Sequence, residues 1–219
     1  MPARSQARIR REINRMAELI EREGSNPALG AIAPIVKDTA AQLNAAWQNY
    51  QQAAVSADKE RSERDSAVAQ IRTWIQRWRP ILLLTTPGAE SNTRGLPPSG
   101  STPDDTLRVA RDLMTFMEET PSTASFREAA REDLGSKLEA AQRETHEATQ
   151  SLPNEEGARA ALTEASVNAN RVLVRGIEVV RAIFGPASAN YRQFMSRETG
   201  AEAEEEDALT EAGEQPEAA

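Results

Sequence analysis

Residues 36–82 carry a repeating stripe. Val36, Ala40, Leu43, Trp47, Tyr50, Ala54, Ala57, Arg61, Arg64, Val68, Ile71, Ile75, Trp78 and Leu82 fall alternately four and three residues apart. A period of 3.5 residues holds one face toward the same neighbour along a helix, so the span predicts a long helix with coiled-coil-like packing. Such a stripe cannot be buried by one helix alone. A first helix over residues 4–23 carries Ile9, Ile13, Met16, Leu19 and Ile20 on one face. Gly24-Ser25-Asn26-Pro27 ends it, with glycine at the C-cap. Pro34 is expected in the first turn of the long helix, where proline is tolerated, with residues 28–33 forming a separate turn before it. Pro80 is expected to interrupt that helix after Arg79.

A third helix opens at Pro103-Asp104-Asp105, where acids favour the first turn, and carries Leu107, Ala110, Met114 and Met117. Pro121 breaks it. The pattern resumes through Phe126, Ala130, Leu134, Leu138, Ala141 and Ala148, then reaches an expected turn at Leu152-Pro153-Asn154. A last helix over residues 155–184 places Leu162, Ala165, Ala169, Leu173, Ile177 and Val180 on its stripe and ends at Gly185-Pro186. Residues 85–103 are rich in Pro, Gly, Ser and Thr without periodicity, which predicts a flexible loop. No stretch alternates apolar and polar over six residues, so strands are not expected. The fold read from this pattern is all-α: an elongated antiparallel four-helix bundle over residues 1–199, taken as one domain.

Charge divides the chain unevenly. Residues 200–219 hold eight acids and no base, so the total of 34 acids and 26 bases leaves residues 1–199 formally neutral. The tail is poor in bulky apolar residues and reads as disordered and acidic. A neutral body argues against nucleic acid as a partner, which calls for clustered positive charge. The absence of cysteine removes disulfides, thiolate metal sites and cysteine nucleophiles. The longest apolar run, Ile81 to Leu84, is far too short to span a bilayer, so no membrane is expected and a cytoplasmic setting is the default. A membrane-surface role for the arginine-rich first helix is weaker, because Glu18, Glu21 and Glu23 follow at once.

Chemistry is sparse. His146 is the sole histidine, its i−3 neighbour is Arg143, and dimetal carboxylate or triad arrangements lack their partners. No phosphate-cradling glycine motif occurs. No cofactor, metal or catalytic residue is therefore assigned. Arg61 and Arg64 occupy stripe positions, where a charge must be paired or wet. They read either as stems packed in the bundle with guanidinium groups on carboxylates such as Glu128 or Glu132, or as a polar waist that binds an anionic small molecule. Trp74, Arg77, Trp78 and Arg79 form the densest aromatic-basic cluster, a composition found at interaction hot spots and also consistent with burial at a bundle end.

Phe184, Tyr191 and Phe194 put three of the nine aromatics into eleven residues. Phe184, Gly185, Ser188 and Tyr191 form an F-G-x-x-S-x-x-Y ending that resembles that of uncharacterised bacterial all-helical proteins. The resemblance covers about a dozen residues and implies a helical fold without implying a function. Physically, Gly185-Pro186 reverses the chain, Ser188 caps the next turn, and Tyr191 and Phe194 either clip the bundle end or meet a partner. The sequence thus points to a non-enzymatic structural or interaction protein, with protein partners or self-association into a homo-oligomer. Trp74, Arg77, Trp78, Arg79, Tyr191 and Phe194 are its candidate contact residues.

Overall fold

The computed structural model describes residues 5–85, 102–120, 123 and 125–195. The acidic segment 200–219 and most of the expected loop over 85–103 lie outside these residues. All regular structure among the described residues is helical: α1 (Gln6–Arg22), α2 (Pro27–Thr85), α3 (Pro103–Glu119), α4 (Arg127–Phe184) and the short α5 (Ala189–Arg192). The expected all-helical bundle is what the chain forms. No described helix is long and apolar enough to cross a membrane.

Helix starts follow local capping chemistry. The Ser5 hydroxyl accepts from the Arg8 amide at 3.2 Å and starts α1. The Asn26 carboxamide accepts from the Ala28 amide at 3.0 Å, which lets α2 begin at Pro27, a residue with no amide proton to satisfy. Residues 28–33 are therefore the first turns of α2 and not a separate element. At α3, the Thr102 hydroxyl accepts from the Asp105 amide at 3.2 Å, and the helix begins at Pro103 as the sequence predicts. Thr120, before Pro121, turns extended (φ −102, ψ 108) and ends α3.

Three prolines expected to mark helix boundaries lie inside helices. α2 runs through Pro34 and Pro80, and α4 runs through Pro153, so neither the break after Arg79 nor the turn at residues 152–154 forms. Each proline removes one backbone hydrogen bond and orphans the carbonyl four residues earlier. Those carbonyls belong to Gly30, Gln76 and Thr149, and these residues, like the three prolines, are exposed. The lost bonds therefore fall on the exposed side of each helix, and its packed face holds the element together.

The packing resolves into two compact units, residues 1–50 with 158–219 and residues 51–157, where the sequence alone draws one domain. In the first unit, Ile13, Met16 and Ile20 of α1, Leu29, Val36 and Leu43 of α2, and Leu173 and Val180 of α4 build one core. A Cβ at Gly176 would lie 3.3 Å from the Met16 Cε, so glycine there lets α1 and α4 approach closely. In the second unit, Val68, Ile71, Ile75 and Leu82 of α2 pack with Leu107, Leu113 and Met117 of α3. Ala130, Leu134, Leu138 and Ala141 of α4 close that core. Each fully buried aliphatic side chain contributes about 1.5–3 kcal/mol, which dwarfs the propensity terms of single residues. None of the fourteen stripe positions from Val36 to Leu82 is exposed. The cores separate because, between Tyr50 and Ala67, the stripe offers only Ala54, Ala57, Arg61 and Arg64, with no large apolar side chain.

Candidate functional site

Both waist arginines are paired. The Arg61 guanidinium donates to the Asp58 carboxylate on its own helix at 2.7 Å and reaches across to Glu155 of α4. Glu155 is buried, so its charge calls for protein partners, of which Arg61 is one. Arg64 donates to Asp65 at 2.9 Å. Glu128 and Glu132, the partners the sequence suggests for them, are exposed and take no part. The contact is the expected type of cross-helix ion pair, with a different carboxylate supplying it.

Beside this pair, Glu60, Glu63 and Glu144 bring carboxylate oxygens within 4.8 Å of one another. The Glu60 Oε2 is buried without a hydrogen-bond partner among the described residues. Glu63 faces Lys59 at 3.5 Å, and Glu144 accepts from Arg143 at 3.1 Å. An all-oxygen trio of this kind suits a hard cation such as Mg²⁺ or Ca²⁺ better than zinc. The waist is therefore richer in carboxylates than in cations, which weighs against an anion as its ligand. Glu60 and Glu63 share a helix face by their spacing, but Glu144 is far away in sequence, so periodicity gives no sign of the trio.

The aromatic-basic cluster divides by burial. Trp74 is 3% exposed and belongs to the second unit's core. Its ring stacks on Trp78 at 5.5 Å, and Trp78 meets Phe126 at 5.6 Å. Arg77 is exposed, while Trp78 and Arg79 are half-buried. Continuing the exposed side of α2, Ile81 is 37% and Leu84 is 84% exposed. Arg77, Ile81 and Leu84 recur at i, i+4 and i+7 and so share one face.

The C-terminal segment closes on the first unit. Gly185 adopts a positive φ of 81°, and its amide donates to Arg181 O at 3.0 Å, which ends α4 in the left-handed manner that suits glycine. The Ser188 hydroxyl then accepts from the Tyr191 amide at 3.2 Å. Phe194 is 1% exposed within the first unit's core, while Tyr191 is half-buried with the Arg181 guanidinium 6.0 Å from its ring centre. Of the two residues proposed for this patch, Phe194 is packing and Tyr191 remains partly accessible.

Sequence periodicity gives no sign of an open groove of about 630 Å³ between α1 and α2, lined in part by Arg10, Asn14, Lys37 and Asn44. Arg10 donates to Asn44 at 2.8 Å, Asn44 to Asn14 at 3.0 Å, and the Arg10 guanidinium lies 5.1 Å from the Trp47 ring centre. The groove's polar side chains thus largely satisfy one another. His146 is exposed, its Nε2 sits 2.8 Å from the Gln150 amide nitrogen, and no carboxylate or hydroxyl among the described residues hydrogen-bonds the ring. No family model, curated protein or solved structure matches the chain.

Proposed function

We propose that the protein is a non-enzymatic interaction bundle that associates, in the first instance with itself, through the exposed end of α2. The observation that carries this reading is the row Arg77, Ile81 and Leu84 beside half-buried Trp78. Apolar side chains next to tryptophan and arginine have the composition of contact hot spots, and Leu84 gains most of its apolar burial only when something covers it. Trp78, stacked on Trp74 and in contact with the tilted Phe126 ring, gives this row an aromatic backing. The pairing of Arg61 and Arg64 with acids, and the isolation of His146, support an interaction role over ligand turnover.

Light scattering on the full chain across a concentration series tests the proposal. The expected result is a mass that rises above the 23.9 kDa of one chain and returns to it in the Ile81→Glu, Leu84→Glu variant. A mass of one chain at every concentration, or one unaffected by the substitutions, removes the α2 end as a self-association surface.

A further inference from the structure

The part of α4 that belongs to the first unit carries a second stripe on its outer side. Ala160, Glu164, Val167, Arg171 and Val174 recur four, three, four and three residues apart, and all five are exposed. Val167 and Val174 leave 56% and 42% of their surface open. This is the 3.5-residue spacing of a helix seam, on a side that none of the described residues covers. The inward seam of the same helix runs through Leu162, Ala169 and Leu173, so the core does not use the outer one.

The charges of this stripe point to its occupant. Glu164 and Arg171 form no ion pair among the described residues. They stand about 10 Å apart along the axis, whereas pairs within a helix form three or four residues apart. An antiparallel second copy of α4, related by a two-fold axis between Val167 and Asn168, sets Glu164 of each copy opposite Arg171 of the other. The same axis sets Ala161 against Val174, small against large. It sets Arg175 against Ala160, so no like charges meet between residues 160 and 175. Acid on one side of the axis and base at equal distance on the other is the pattern of a self-complementary, isologous contact. Parallel pairing in register would instead place glutamate on glutamate and arginine on arginine.

We infer that this face of α4 docks a second copy of the same chain, antiparallel, through reciprocal Glu164–Arg171 pairs on either side of Val167. The apolar side chains supply the burial, and the charges fix register and direction. One helix pair covers little surface, so the contact belongs with weak, transient interfaces. It is caught by cross-linking at concentrations where scattering still reads one chain. It is separate from the α2 end and does not depend on that end being an interface.

The chain has no native cysteine, so introduced thiols report the contact. The full chain carrying Ile81→Glu and Leu84→Glu, which silence the α2 end, receives Ala161→Cys in one batch and Val174→Cys in another. Mixed and gently oxidised at low salt, the two batches are expected to give mixed disulfides well beyond the share that random collision gives. Each batch alone holds its two thiols about 20 Å apart along the antiparallel pair and should cross-link slowly. Glu164→Arg in both batches, or Arg171→Glu in both, sets like charges face to face. Either change should slow the mixed product about tenfold, the loss of two exposed pairs. Glu164→Arg in one batch with Arg171→Glu in the other makes both facing pairs attractive again and should restore the rate. A random product ratio overturns the inference. So does an excess of the two unmixed disulfides, which marks parallel pairing, or a mixed rate indifferent to the charge variants. Because the α2 end is already altered throughout, none of these results bears on it.

Discussion

Replacing Pro153 by alanine should stabilise the protein, because α4 passes straight through this residue. Proline in a helix interior costs about 3 kcal/mol relative to alanine, from the lost hydrogen bond and the ring's clash with the preceding turn. Pro153 and Thr149 are both exposed, so Pro153→Ala restores the bond to the Thr149 carbonyl without disturbing a packed atom. Proline also restricts the unfolded chain, and losing that restriction returns about 0.4–1 kcal/mol to the unfolded state. The balance is about 2 kcal/mol in favour of the variant, or about 30-fold in a local opening constant. Residue-resolved amide hydrogen exchange over 149–157 is the direct assay, since it reads this helix without assuming that the whole chain unfolds in one step. Exchange should slow by that factor, and the new amide at residue 153 should itself be protected. Faster exchange, or an unprotected amide at 153, would mean that residues 152–154 form a turn and that the continuous helix is wrong.

Gly157→Ala should stabilise α4 by about 1 kcal/mol in urea denaturation, since a Cβ there meets nothing within 4 Å. Gly176→Leu should instead cost about 1–3 kcal/mol, because its side chain must displace Met16; an unchanged midpoint would show that α1 does not pack so closely. For the waist, a double-mutant cycle on Arg61→Ala and Glu155→Ala should give a coupling of about 1 kcal/mol, with Arg61→Ala alone costing about 1–2 kcal/mol by uncovering a buried carboxylate that keeps its other contacts. Additive effects would place the two charges apart. The hydrogen bond from Arg108, followed by that from Thr102, holds the Asp105 carboxyl below the usual aspartate value. Its contribution is therefore present above the unfolded-state pKa and is lost as pH falls through the lower folded value. An NMR titration should place its midpoint below that of an unstructured aspartate, and Arg108→Ala should move it upward.

How far the sequence carries can be judged position by position. The stripe from Val36 to Leu82 names the inward face of α2 because a helix buries whatever recurs every 3.5 residues, and every one of those positions is at least half-buried. One cap was equally legible: the Ser188 hydroxyl accepts from a backbone amide three residues on, whereas at α3 the acids Asp104 and Asp105 sit in the first turn as expected but the capping side chain is Thr102. The candidate contact residues were less so. Trp78 lies on the stripe, Trp74 four residues before it and Phe194 beyond the last helix, and each placement suits a core as well as a partner, so only the neighbouring helices assign Trp74 and Phe194 to packing.

The sequence by itself determined that the chain is helical, which faces turn inward, and that its net charge resides in residues 200–219. Each of these is a local property, fixed by spacing and residue type. Tertiary structure alone decided that Pro34, Pro80 and Pro153 remain within helices, since their cost depends on whether the orphaned carbonyl meets water or a core. It also chose Glu155 over Glu128 and Glu132 as the partner of Arg61, and gathered Glu60, Glu63 and Glu144, pairings set by helix register across long sequence separations. The two separate cores were settled in the same way. A stretch of small and charged stripe residues reads as one more part of the seam until the larger side chains on either side collect into different clusters.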